Sequence, residues 1–303
     1  MRDHCCRLFF YSARSVRKQV NKKTKGAITL RHRLGVSGST ILSDPAHFSA
    51  LFWEGIDHIE IGEFPDEPSF STFLDMYRNQ TITFGIHSPL LRTGSKYDLL
   101  ESVFMDSALA WKQVEHECRM LQQLGAAYLL VHFPYFKRGV PARGIELLEH
   151  GLDRLRSIQQ ASGLPIICEP KLGFDKSPAA IRFFHDSPLS LWADIGLCMD
   201  IGDFLLADSD SVSRCVDKWH NQIKVVHLHN VEHKEEGKYW WIPVHPSHEN
   251  DGIHFQTGSL IRQLAQSPQV TFIFEHTPHN QASAAFIQEG YEWVKILIGR
   301  TSG

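Results

Sequence analysis

The sequence predicts a single-domain α/β protein, a (β/α)8 TIM barrel preceded by a basic N-terminal extension. Eight short apolar runs recur along the 303 residues, and helix-length segments separate them. Most runs also close on a side chain able to hold a metal: GIHSP, LLVHFP, IICEPK, LCMDIGD, VVHLHN and FIFEH. Strand and helix alternating through eight rounds is the pattern of such a barrel, whose strands aim their carboxyl ends at a shared mouth.

In order, the expected strands are Leu34–Ser37, His58–Gly62, Ile82–Ile86, Tyr128–His132, Pro165–Glu169, Leu197–Asp200, Ile223–His229 and Val270–Glu275, each a β-branched or aromatic run. One helix is expected after Ser43-Asp44-Pro45, where a capping residue precedes a proline. Another runs through Leu100–Leu124 to Gly125, and a third spans Gly144–Gln160 before Gly163. Residues 230–256, between the seventh strand and the last helix, are polar, aromatic and rich in histidine. A connection that long after a barrel strand points to function, with a decorated insertion or a partner contact as the plainer alternative.

Composition bounds the rest. Hydrophobic residues at 43% and charged residues at 21% are ordinary for a globular protein, and no apolar run approaches the roughly 20 residues of a membrane span. The six cysteines (Cys5, Cys6, Cys118, Cys168, Cys198, Cys215) form no C-x-x-C pair or secreted framework, which predicts reduced thiols and a cytoplasmic protein. Residues 1–33 hold ten Lys/Arg against Asp3, so the net charge of −3 conceals a barrel domain, 34–303, with 21 basic and 33 acidic residues. The extension suits a disordered leader, an organellar presequence or a solvated nucleic-acid arm.

Glu169, Asp200, His227 and Glu275 each fall at or near a strand end, 31, 27 and 48 residues apart, and a barrel brings such positions together. Two glutamates, an aspartate and a histidine suit a divalent ion: Mn, Mg, Co or Zn. Taken singly, any of them is more often a hydrogen-bonded structural residue. Four ligand types at four strand ends are what make a metal centre the expectation.

These motifs resemble the xylose-isomerase-like barrel superfamily, which includes sugar isomerases and epimerases and the endonuclease IV group, over roughly residues 34–298. IKVVHLHN is similar to the strand-seven signature I-x-x-V-H-L-x-D/N, which implies His227 as the metal histidine, with His229 as the alternative two residues on. LCMDIGD resembles D-x-G-H and implies Asp200. FIFEH implies Glu275. IICEPK implies Glu169, and its Glu169-Pro170-Lys171 is similar to a segment in which the lysine polarises a substrate carbonyl. GIHSPLL and LLVHFPYF resemble endonuclease IV strands and bring in His87 and His132, while VHPSHENDGIHF resembles a loop that brings in His245.

Three departures weigh against a trinuclear nuclease site: Asp203 where the histidine of D-x-x-H belongs, Pro243 where an aspartate ligand belongs, and Glu249 and Asp251 in place of loop glycines. The acidic barrel also disfavours nucleic acid, which a basic face would have to meet. The resemblance therefore implies a metal-dependent sugar or sugar-phosphate isomerase or epimerase of carbohydrate metabolism, with a small-molecule carbohydrate as substrate.

In that reading a metal bound by Glu169, Asp200, His227 and Glu275 stabilises an enediolate, and Glu169 and Glu275 move the proton from opposite faces. Lys171 steadies oxyanion charge. His87, His132, Asp203, His229 and His245 remain for substrate or a second ion, the plainer reading of His87 and His132 being satisfied inward histidines. Tyr239, Trp240 and Trp241 form a stacking lid, or else core or the seam of a homodimer. His248, Asp251 and His254 are expected to bond within their own loop. The alternatives are an endonuclease IV-like phosphodiester hydrolase, which needs His87, His132 and His245 as ligands, and a catalytically altered barrel serving as a binding module.

Overall fold

A computed structural model describes residues 32–171, 177–235 and 238–300. Eight parallel strands close into a barrel: β1 (Arg33–Ser37), β2 (His58–Ile61), β3 (Thr83–His87), β4 (Leu129–His132), β5 (Ile166–Glu169), β6 (Gly196–Asp200), β7 (Ile223–Leu228) and β10 (Thr271–Phe274). Strand β10 seals it by pairing in parallel with β1 from Arg33↔Thr271 to Val36↔Phe274. Every expected strand is present within a residue or two of its expected bounds. The basic extension lies outside the described residues except for His32 and Arg33. His32 Nε2–H donates to Ala265 O (2.9 Å), its Nδ1 accepts from Val270 N–H, and Arg33 opens β1.

The helices are α1 (Glu67–Tyr77), α2 (Ser107–Leu124), α3 (Gly144–Ser162), α4 (Pro178–Asp186), α5 (Ile201–Asp208), α6 (Val212–Trp219), α7 (Gly258–Leu264) and α8 (Ala284–Leu297). Helix α2 starts seven residues later than expected. Asp98 Oδ1 accepts from the amides of Val103, Phe104 and Met105, which holds the chain in a turn until Asp106 caps the helix. Helices α2 and α3 stop at Gly125 and Gly163, each in the left-handed conformation that glycine adopts without strain. After Pro45 the chain forms only a 3-10 helix, Pro45–Leu51, rather than an α-helix. Within residues 230–256 the chain folds an antiparallel hairpin, β8 (Asn230–His233) with β9 (Tyr239–Ile242), and a 3-10 turn at Pro246–Glu249.

Alternation along the strands creates two layers inside the barrel. Leu130, Ile167, Cys198, Val225 and Ile273 pack with Tyr128 as the inner apolar layer. Two residues further along each strand, on the same inward face, stand His132, Glu169, Asp200, His227 and Glu275. The apolar layer is the floor, and the polar side chains form a cup above it. Outward residues such as Ile59, Val131, Ile166 and Phe272 pack against the helices in the main core. Gly85 makes the floor possible, because a Cβ there would lie 2.5 Å from the Tyr128 ring. No described helix is long and apolar enough to cross a membrane. The four described cysteines, Cys118, Cys168, Cys198 and Cys215, are buried and free.

Candidate metal centre and its cavity

Four sequence-expected residues and one unexpected residue form the heart of the cup. His227, fully buried on β7, places Nδ1 2.7 Å from Glu275 Oε2 and 3.8 Å from Glu169 Oε2. Neither carboxylate is aligned to hydrogen-bond that nitrogen. Donor atoms crowded together but not hydrogen-bonded to one another are what ligands of a shared ion look like. On its other side His227 Nε2 lies 2.8 Å from Glu60 Oε1, on β2. Sequence reasoning misses Glu60, because no motif marks β2 and the side chain's partners lie far away in the chain. The available signal is the pair His58 and Glu60, two polar inward positions between the outward Ile59 and Ile61.

Asp200 closes β6 and is also the N-cap of α5, its Oδ1 accepting from Asp203 N–H (3.0 Å). The same oxygen takes His229 Nε2–H at 2.7 Å. Gly202 allows this, since a Cβ there would sit 2.0 Å from the His229 ring. Lys171 Nζ ion-pairs with Glu169, with Asp200 (3.1 Å) and with Asp203 (3.0 Å). Asp203 is thus a fully buried partner of the lysine. His87 and His132 both reach Glu169 Oε2 at 3.2 Å, and their Nε2 atoms lie 3.2 Å apart.

Charge in the cup is out of balance. Glu60, Glu169, Asp200, Asp203 and Glu275 bring five carboxyl groups, against one lysine. For Glu60, Glu169 and Asp200, burial favours the neutral acid and neighbours reverse it. For Glu169, burial raises the pKa, but Lys171, His132 and His227 hold it well below the usual carboxylate range. Asp200 is likewise lowered, His229 and Lys171 outweighing burial. Burial would lower His227, yet Cys198, Glu275, Glu60 and Glu169 raise it well above an ordinary imidazole; Asp200 raises His229 against its burial in the same way. His132 goes the other way, burial driving it well below its ordinary value despite Glu169. Carboxylates and imidazoles grouped in this way could hold a divalent ion.

Candidate ligand sets overlap at Glu275, which groups with Glu60, His87 and His227 on one side and with Asp200 and His229 on the other. Cys198, buried beneath, groups with Glu169 and His227.

Above the cup is a cavity of about 550 Å³ lined by His87, His132, Lys171, Asp200, Glu275, Tyr97, Tyr239 and Trp241, with Arg92 and Lys96 among its other walls. The two tryptophans part company there. Alternation on β9 turns Trp241 toward the cavity and His229 (ring centroids 5.2 Å), while Trp240 stands outside the cavity lining, 37% exposed under Lys234 Nζ. His245 is not brought to these groups. Its Nδ1 accepts from Ser247 N–H, and its ring stacks on Phe286 at 3.7 Å. Asp251 Oδ2 bonds His254 Nδ1 within the loop at 2.6 Å, and Glu249 Oε1 accepts from the Thr257 and Gly258 amides at the start of α7.

The xylose isomerase-like TIM barrel family model matches residues 48–297. The chain belongs to this family. None of the curated proteins matches it. Among solved structures, this xylose isomerase-like barrel is similar to 3-keto-D-glucoside 4-epimerase from E. coli (12% identity, 88% of this chain and 100% of that one, TM-score 0.61). It is similar to an L-ribulose 3-epimerase (13%, 88% and 94%, TM-score 0.59) and to the IolI protein with a bound zinc atom (13%, 88% and 98%, TM-score 0.61). At these identities the likeness is one of fold.

Proposed function

We propose that this xylose isomerase-like barrel is a metal-dependent isomerase or epimerase of a sugar or sugar phosphate. Glu169, Asp200, His227 and Glu275 would hold one divalent ion. The reading rests chiefly on His227 Nδ1, crowded by Glu275 Oε2 and near Glu169 Oε2 without a hydrogen bond to either, beneath a polar cavity. Both Asp200 oxygens are engaged, but a carboxylate has about four lone-pair sites, and one on Oδ2 beside Lys171 can be shared with an ion. Structures of similar fold include sugar epimerases and a zinc-bound protein, which supports the same reading.

When bound, the ion supplies a Lewis acid that stabilises negative charge on a chelated carbonyl oxygen and its neighbour. The chain's own groups do the rest. Glu275, at the cavity wall, accepts a proton from the substrate carbon. Glu169, backed by His87 and His132 and 3.8 Å from the same His227 nitrogen, would return one. Lys171 donates to developing oxyanion charge. Trp241 and Tyr239 offer faces for a sugar ring and exclude water.

The hydrolase reading requires His245 beside His87 and His132. His245 is instead stacked on Phe286 with Nδ1 taken by Ser247, which favours the isomerase.

The test is proton exchange. Ketoses and their phosphates are incubated in D2O with the protein and Mn, Mg, Co or Zn, and deuterium next to the carbonyl is read by NMR. Exchange that stops on adding chelator is expected. No exchange with any sugar and metal overturns the proposal.

A further inference from the structure

We infer that Arg92 is an anion anchor in the wall of the cavity, so that the substrate of this site carries a phosphate or carboxylate group. The inference rests on the proposed function and deepens it by naming the class of sugar.

Three cations, Arg92, Lys96 and Lys171, line the cavity, and two of them are paired with acids. Lys171 is shared among Glu169, Asp200 and Asp203, and Lys96 Nζ sits 2.5 Å from Glu63 Oε1. Arg92 differs. Among the described residues its side chain bonds backbone carbonyls alone, Nε–H donating to Glu63 O (2.9 Å) and Nη2–H to Leu42 O (2.7 Å). Neither carbonyl carries a charge, so the guanidinium is held in place without being paired off. Two of its five N–H donors are used, and both donors on Nη1 are left for a ligand.

Three loops build this position. Arg92 follows β3, its own amide donates to Phe64 O (3.0 Å) beyond β2, and Leu42 lies beyond β1. Leu42 and Glu63, which present the two carbonyls, have φ of 54° and 53°. Non-glycine residues seldom take this left-handed conformation, and it persists where the surroundings fix it. Both residues line the same cavity, so the guanidinium is oriented before any ligand arrives. In the ring of strands β2 stands directly across from β6, which carries Asp200. An anion on Arg92 is thereby seated on the other side of the barrel mouth from the acids around Lys171.

A fixed guanidinium binds phosphate or carboxylate through charge-assisted hydrogen bonds, roughly twice as strong as neutral ones. The plainer role for Arg92 is to tie the Leu42 and Glu63 turns together. That role uses the same two bonds and predicts no preference among ligands.

The test compares glucitol 6-phosphate, gluconate and glucitol, none of them an aldose or ketose, by NMR titration of the full chain with magnesium present. At least one of the two anions should bind roughly tenfold or more tightly than glucitol. The one that binds more tightly tells a sugar phosphate from a sugar acid. Arg92→Gln should bring the ratio of anion to glucitol affinity near one, whereas a purely structural arginine would weaken all three alike and leave the ratio intact. Equal binding of the three by the wild type, binding of none, or a ratio that survives in Arg92→Gln overturns the inference. If Arg92→Gln does not fold, a crystal structure of the wild type with the tighter anion decides. Its charged group within hydrogen-bond reach of Arg92 is expected, and a charged group held elsewhere overturns the inference. Proton exchange into neutral ketoses with no preference for anions would sink this inference and leave the proposed function standing. A preference abolished by Arg92→Gln, with no exchange into any sugar, would do the reverse.

Discussion

Lys171 Nζ lies 3.0 Å from Asp203 Oδ2, so the lysine at the end of β5 is neutralised by an acid on the first turn of α5. That acid occupies the place where the related motif carries histidine. A lysine shared among three carboxylates is held in one position.

Removing that cation should separate binding from turnover. Lys171→Met leaves Glu169, Asp200 and Asp203 without their common partner, so the cup should hold divalent ions more tightly by calorimetry. Turnover should drop by roughly 10²–10³-fold if the ammonium meets developing oxyanion charge. Weaker metal binding in this variant would mean that Lys171 helps to build the site rather than competing for its charge.

Gly202→Ala addresses the His229–Asp200 pair. A methyl at that position collides with the imidazole 2.0 Å away, so the ring must move and its 2.7 Å bond to Asp200 must break. The expected cost is about 1–3 kcal/mol in urea unfolding. A variant as stable as wild type would show that the loop carrying His229 gives way freely.

The pH dependence of the metal-free protein follows from the same pair. His229 is raised above its ordinary 6.5 in the fold. Its contribution is therefore complete below about 6.5 and is lost as the pH climbs through the raised value. Asp200 is lowered from 3.8, so its contribution is present above that value and lost only in strong acid. Thermal melts in chelator should thus fall as the pH rises above about 6.5. With zinc the fall should be smaller, because metal binding releases protons and strengthens as the pH rises. Identical slopes with and without zinc would argue that the ion does not engage these groups.

The tryptophans give a control matched in residue and strand. Trp241→Ala strips a cavity wall and should lower kcat/KM by about 3–10-fold through lost stacking, whereas Trp240→Ala should leave it within about twofold. Equal effects would indicate that the hairpin acts as a whole.

Much of this is legible in the chain. The eight barrel strands are buried on both faces, so they read as unbroken apolar runs that stand out from their surroundings. Strand ends are equally plain, which is why Glu169, Asp200 and His227 can be named together with Glu275. Other features depend on contacts between distant segments. Glu60 gains its meaning from Tyr128 and His227, 68 and 167 residues away. The late start of α2 depends on one aspartate gathering three amides, which propensity along Leu100–Leu124 does not register. The parting of Trp240 and Trp241 needs only a strand assignment for 239–242, and without one the segment reads as loop.

Asp200 does two jobs with the same oxygen, closing the first turn of α5 through the Asp203 amide while meeting His229 in the cup. A lineage that abandoned the chemistry would still be selected to keep an aspartate there, to hold its helix. Its presence in a descendant would therefore be a poor witness to activity. His227 and Glu275, which cap no helix, would record the loss first.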